Sequence, residues 1–207
     1  MLGIYGGTFN PVHYAHLRTA LEVGEIFGLE TVKLIPCHLP PHRDQPEVSV
    51  EERLRMLEIA VGDTPGLQID RRELDREGPS YMVDTLKSLK IDHSDKRLLL
   101  FIGADAFNGL QNWYRWQALF DYAHLVVMTR PGYETPLLPV ELRARLIRHQ
   151  HELNDQSAGF LYFQSVTALD ISATSIRQLI ADGRNPKFLL PDGVIDFIRQ
   201  HHLYSPH

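Results

Sequence analysis

The run Gly6-Gly7-Thr8-Phe9-Asn10-Pro11-Val12-His13-Tyr14-Ala15-His16 places two glycines, a helix-start signal and two imidazoles in one short stretch. Glycines at a strand end let backbone N–H groups approach a ligand closely, and a helix N-terminus favours an anion. Asn10 is expected as the helix N-cap and Pro11 at the first helical position. His13 and His16 are three apart, so on a helix they share one face. Together these residues form a phosphate-binding arrangement with two groups able to carry positive charge. A histidine pair by itself is as compatible with surface or core packing.

Other segments carry candidate chemistry. Pro36-Cys37-His38-Leu39-Pro40-Pro41-His42-Arg43 is a proline-stiffened loop in which His42 and Arg43 offer donors, or a plain surface loop. Asp105, in Gly103-Ala104-Asp105, is either an acceptor for ribose hydroxyls or a helix N-cap. In Ile171-Ser172-Ala173-Thr174-Ser175-Ile176-Arg177 the hydroxyls read as helix caps. Arg177, expected in the first turn, opposes the helix dipole, and a bound anion would relieve that. The tryptophans of Asn112-Trp113-Tyr114-Arg115-Trp116 are core residues or a stacking platform for a flat ring, with the loop Pro79-Ser80-Tyr81 as a possible neighbour.

These residues need a frame. Strands are expected at Leu2–Tyr5, Thr31–Pro36, Gly66–Asp70, Arg97–Ile102, Leu125–Thr129 and Phe160–Phe163. Helices are expected at Tyr14–Phe27, Val50–Val61, Tyr81–Leu89, Pro139–Gln150, Ser175–Ala181 and Asp192–His202. Leu98-Leu99-Leu100-Phe101-Ile102 and Leu125-Val126-Val127-Met128 are apolar on both faces, as central strands of a covered parallel sheet are. The alternation predicts an α/β fold: a doubly wound, Rossmann-like parallel sheet with helices on both faces. Ligands in such folds sit beyond the carboxyl ends of the strands. A single domain over 1–207 is expected, closed by a small helical segment from about 171 to 207.

The chain has 207 residues, 43% of them hydrophobic, which is enough for a sizeable core. Its net charge of -5 argues against a protein that coats nucleic acid. No apolar run is long enough to cross a bilayer, and the opening strand leaves no room for a signal peptide, so a cytoplasmic setting is expected. The one cysteine, Cys37, excludes an internal disulfide and reads as a small packing residue at a strand end. Eleven histidines raise a metal-protein reading, but prolines between His38 and His42 oppose a helix and no Cys/His set has zinc spacing.

The N-terminal run through His13-Tyr14-Ala15-His16 resembles the signature of the (His/Thr)-x-Gly-His nucleotidyltransferase superfamily, with Ala15 in place of its glycine. Ile171-Ser172-Ala173-Thr174-Ser175-Ile176-Arg177 resembles that superfamily's C-terminal motif. Pro40-Pro41-His42-Arg43, Pro79-Ser80-Tyr81, Gly103-Ala104-Asp105, Trp113-Tyr114 and Arg130-Pro131-Gly132 are similar to one branch, the bacterial nicotinate-nucleotide adenylyltransferases. The similarity runs in order from about Leu2 to Tyr204.

The resemblance implies transfer of AMP from ATP to nicotinate mononucleotide, giving deamido-NAD and pyrophosphate, with Mg²⁺ carried on ATP. It implies catalytic roles for His13, His16 and Arg177. It implies ATP binding by Gly7, Thr8, Phe9, His13, His16, Gly103, Asp105, Ser172, Thr174 and Arg177. On the mononucleotide it implies His42, Arg43, Ser80, Tyr81, Met82, Trp113, Tyr114 and Arg130. Neither nucleic acid, membrane nor a protein-held metal is expected, and the oligomeric state, a homo-oligomer included, stays open. Two other readings compete: a related enzyme using nicotinamide mononucleotide, pantetheine phosphate or a cytidine nucleotide, and a non-catalytic nucleotide sensor.

Overall fold

The computed structural model describes residues 1–39, 48–134 and 137–205. Six strands, β1 (Leu2–Gly7), β2 (Val32–Pro36), β3 (Leu67–Ile69), β4 (Leu98–Gly103), β5 (Ala123–Thr129) and β6 (Leu161–Ser165), form one sheet in the order β3-β2-β1-β4-β5-β6. Every neighbouring pair is parallel. The chain therefore winds outward from β1 to one edge, returns to β4, and winds outward to the other. The reversal leaves a crevice between the carboxyl ends of β1 and β4.

The helices are α1 (Tyr14–Ile26), α2 (Val50–Val61), α3 (Met82–Asp92), α4 (Ala104–Asn108), α5 (Leu119–Tyr122), α6 (Val140–Arg143), α7 (Ala173–Ala181) and α8 (Asp192–Gln200). They bury the sheet from both sides, which is why β5 is buried at every position and β4 at all but its last. One core joins Leu34, Phe101 and Val126 of the sheet to Val23 of α1, Leu57 of α2 and Val194, Ile195 and Ile198 of α8. The other joins Ile4, Leu100 and Val127 to Leu86 and Leu89 of α3 and Phe120 of α5. This is the expected doubly wound architecture.

Four local expectations are corrected. Helix α1 starts at Tyr14 with His13 as its N-cap, so Asn10 and Pro11 lie ahead of the helix in a turn with a cis peptide bond between them. The polar groups of Asn10 are engaged elsewhere: its Oδ1 accepts from the Tyr204 hydroxyl (2.5 Å) and its carbonyl accepts from Arg177 (2.8 Å). The helix expected over Pro139–Gln150 shrinks to the single turn α6, followed by a 3-10 turn over Gln150–Asn154. There the backbone is recruited to the sheet edge. Ile147 N–H donates to Leu161 O (3.0 Å) and Leu161 N–H to Arg145 O (2.9 Å), so pairing with β6 overrides the helical spacing.

Asp105 is not an N-cap. Gly103 holds that position and Asp105 falls in the first turn of α4. Helix α7 begins at Ala173, capped by Ser172, whose Oγ accepts from Ser175 N–H (3.1 Å). Arg177 thus lies beyond the first turn, and the dipole argument for it gives way to its direct bond with Asn10.

Candidate active site at the sheet reversal

A cavity of about 670 Å³ opens at the reversal point. One wall is Tyr5, Gly6, Gly7, Thr8 and His16; another is Gly103 and Asp105; a third is Ser80, Tyr81, Met82, Trp113 and Tyr114. Ten of the residues singled out in the sequence therefore share one cavity, though they come from four separate stretches of chain.

The glycine turn is shaped by two close approaches. A Cβ on Gly6 would meet Met82 Cε at 2.6 Å, so the missing side chain lets α3 abut the end of β1. A Cβ on Gly7 would meet the Phe9 ring at 2.9 Å. Phe9 itself has φ 48, a left-handed backbone costing about 1 kcal/mol for a residue with a side chain. Its ring is buried in the core, which offsets that cost. The Phe9 side chain is thus structural, and its backbone bends the turn toward the pocket.

His13 and His16 stack, with ring centroids 3.7 Å apart and planes 25° apart. His13 is only 4% exposed and its Nδ1 has no hydrogen-bond partner. His16 Nδ1 accepts from the His13 N–H (3.3 Å), and its ring meets the Phe9 ring edge-on at 5.2 Å. Burial pushes the His13 imidazole down to about 4. Burial, then the nearby charge of His13, pushes His16 well below the ordinary histidine range. Both rings are therefore neutral at pH 7. A neutral His16 whose Nδ1 accepts must carry its proton on Nε2, and so offers an N–H donor.

The two end motifs meet beside this pair. Arg177 Nη1 donates to Asn10 O (2.8 Å) and Nη2 to Thr174 Oγ1 (3.3 Å). Ser172 Oγ shares a hydrogen bond with Ser175 Oγ at 2.7 Å. These α7 residues and His13 border the glycine turn but do not line the cavity itself.

At the opposite wall, Tyr81 and Tyr114 pack with ring centroids 4.3 Å apart. The two tryptophans divide: Trp116 is buried in the core and Trp113 lines the cavity. Arg115 between them has φ 51, a left-handed backbone, and Trp113 packs against the same core cluster that buries Trp116. The first N–H groups of α3 lack a side-chain cap, since the N-cap residue, Tyr81, provides none. Such a helix start favours an anion, and Asp84 already places an acidic side chain in its first turn. Arg130, at the carboxyl end of β5, is exposed and paired with Asp170 (3.1 Å). His42 and Arg43 lie outside the described residues.

Cys37 and Glu73 on the wall, and Arg53 behind it, were not singled out for the site by sequence. Cys37, read as packing, lines the cavity. Glu73 lines it too, although only 3% exposed. It accepts from Thr85 Oγ1 (2.6 Å), and burial pushes its carboxyl up against the opposing pull of Thr85, Ser80 and Arg76. Arg53, 1% exposed, reaches from α2 to the backbone behind the cavity. A charged residue on an otherwise apolar helix face is the signal that exposes Arg53. Glu73 sits in a charged loop and gives none.

Among the described residues no three His, Cys, Asp or Glu side chains are grouped to hold a metal ion, and no helix is long and apolar enough to cross a membrane.

The cytidylyltransferase-like family model matches residues 4–179. The chain is 48% identical over 99% of its length, and 100% of the relative's, to a protein of Methylococcus capsulatus named "Probable nicotinate-nucleotide adenylyltransferase". It is 44% identical to a protein of the same name from Aeromonas hydrophila, over 99% of this chain and 97% of that one. A solved structure of the Plasmodium falciparum nicotinic acid mononucleotide adenylyltransferase complexed with NaAD superposes with a TM-score of 0.74, at 17% identity, over 98% and 96% of the two chains. At that identity it supports the fold.

Proposed function

The chain belongs to the cytidylyltransferase-like family and, within it, to the nicotinate-nucleotide adenylyltransferases, and from that membership we propose how its residues transfer AMP from ATP to nicotinate mononucleotide. The products are deamido-NAD and pyrophosphate. The observation that carries the proposal is the single cavity where a glycine turn with a neutral imidazole donor faces an aromatic wall and an uncapped helix start. The first suits phosphates, and the second suits a flat ring bearing a carboxylate.

The nucleophile is a phosphate oxygen of the mononucleotide, which attacks the α-phosphorus of ATP as pyrophosphate leaves. Its second pKa is about 6, so near pH 7 it is already mostly ionised and needs no strong base. The protein's task is to align two polyanions and stabilise charge on the transferring group. In this proposal His16 donates from Nε2 to the α-phosphate. His13, Ser172, Thr174 and Arg177 hold the outer phosphates, and the backbone at Gly7, Thr8 and Phe9 lines their path. Gly103 and Asp105 meet the ribose. Nothing lies within 4 Å of a Cβ built on Gly103, so the sugar has room there. Mg²⁺ enters as part of the substrate, on the phosphates and their waters.

Trp113 stacks on the pyridine, flanked by Tyr81, Met82 and Tyr114, with the carboxylate at the start of α3 near Ser80. His42, Arg43 and Arg130 are assigned to the mononucleotide's anionic groups. The proposal sets the reaction in the cytosol. Mass spectrometry of a mixture of protein, MgATP and nicotinate mononucleotide tests it: deamido-NAD must accumulate with one pyrophosphate per turnover. ATP bound without product would favour a nucleotide sensor instead.

A further inference from the structure

Arg53 joins the two halves of the cavity from behind. It closes the first turn of α2, whose start is fixed by reciprocal bonds between Ser49 and Glu52. Its Nη1 donates to Thr8 O (2.8 Å) and Cys37 O (2.9 Å), and its Nη2 donates to His38 O (3.2 Å). The first carbonyl belongs to the turn after β1 and the other two to the loop after β2. One guanidinium therefore bridges the two chain segments that leave β1 and β2, just beyond their last backbone tie, Cys37 N–H to Gly7 O (2.9 Å).

The clamp has directional consequences. In a trans peptide the C=O and the following N–H point opposite ways. Holding Thr8 O toward Arg53 turns the Phe9 N–H away from it. Holding Cys37 O turns the His38 N–H outward, and that N–H donates to Ser80 Oγ (3.0 Å). Ser80 N–H in turn donates to Leu39 O (3.0 Å). Ser80 immediately precedes Tyr81 and the start of α3. A continuous bridge thus runs from the phosphate turn at Thr8, through Arg53 and the Cys37–Leu39 backbone, to the wall that faces the pyridine. Thr8, Cys37 and Ser80 all line the cavity.

We propose that Arg53 is a positioning residue that sets the separation and orientation of the ATP and mononucleotide half-sites, an inference that rests on the two-substrate reaction above. Neither half-site needs the guanidinium as a ligand. What needs it is their mutual alignment, because in-line transfer tolerates little displacement and about 1 Å of misplacement lowers the rate on the order of a hundredfold. Lysine cannot substitute, since one ammonium on a flexible stem does not reproduce a planar fork serving three carbonyls.

The test is Arg53→Lys in the full chain, read three ways. The expected result is a kcat at least about twentyfold below wild type, with dissociation constants for ATP and nicotinate mononucleotide, each measured alone, within about threefold of wild type. In the ligand-free protein, amide exchange at His38 and Ser80 should quicken at least about tenfold beyond any change in the slowest core amides. Wild-type kcat, or a kcat loss matched by equal losses in both affinities, overturns the proposal.

Ser80→Ala cuts the bridge at its far end, and serves if Arg53→Lys does not fold. Its kcat should fall at least about tenfold at unchanged ATP affinity, and a wild-type kcat again overturns the proposal. Turnover by the wild-type protein reports separately on the reaction itself. If that reaction is absent, the exchange measurement still decides whether Arg53 holds the bridge.

Discussion

Arg177 Nη1 lies 2.8 Å from the carbonyl oxygen of Asn10, joining positions 167 residues apart. Tyr204 grips the side chain of the same asparagine at 2.5 Å. The C-terminal helices thus fix the turn that leads to His13 and His16. Arg177 still has donors to spare, because a guanidinium carries five N–H groups.

Arg177→Ala should lower kcat/KM by at least about a hundredfold, the scale expected for removing a charged donor from the pyrophosphate that leaves. Arg177→Lys keeps the charge but loses the fork, and should recover only part of that. Steady-state pyrophosphate release measures both.

The proton position on His16 makes a sharper test. Glutamine places its amide nitrogen near Nε2 of histidine, whereas asparagine places its own near Nδ1. If Nε2–H is the donor, His16→Gln should exceed His16→Asn in kcat by about tenfold, with His16→Ala at least about tenfold below wild type. Equal rates for Gln and Asn would remove His16 from the assigned role.

The buried histidines tie stability to pH. His13 is held down to about 4, so below the ordinary value near 6.5 the unfolded chain binds a proton that the folded one refuses. Stability should fall as pH drops from about 6.5 toward 4, by about 3 kcal/mol for His13 at the low end. Denaturant midpoints at pH 7.5 and 4.5 should differ, and His13→Gln should shrink the difference. Saturating ATP should shrink it as well, because a polyanion favours the charged imidazole.

A second pH effect has the opposite origin. Asp70 accepts from Lys33 Nζ (2.8 Å) and from Arg72 Nε and Nη2 (both 2.8 Å). Burial alone would raise its pKa, but these bonds outweigh burial and hold the carboxyl at about 2. Its contribution is complete above about pH 4 and disappears as pH falls through 2. Asp70→Asn strands two largely buried cations and should cost about 2–4 kcal/mol at pH 7. Thermal unfolding would show the loss.

Much of this was legible in sequence because the signals were local. The apolar runs of β4 and β5 announce a covered parallel sheet, and the glycine turn with its histidine pair marks the strand end at which the cavity opens. What sequence missed depends on distant partners. Asn10 reads as a cap until Tyr204 and Arg177 are seen to hold it. Leu142 and Leu146 have the four-residue spacing of a helix face, yet the backbone at Arg145 and Ile147 pairs with β6. The two tryptophans cannot be told apart until the fold buries Trp116 and leaves Trp113 between the core and the cavity wall. Arg53 stands out as a charge on an apolar helix face, but the three backbone carbonyls it serves leave no trace in side-chain pattern.

The most direct measurement is pyrophosphate release from MgATP with nicotinate mononucleotide beside nicotinamide mononucleotide. An anion at the uncapped start of α3 is favoured by up to about 2 kcal/mol. The account therefore predicts kcat/KM higher for the acid by at least about tenfold. Equal rates for acid and amide would contradict the carboxylate's assignment to α3, and release with neither would contradict the proposed reaction.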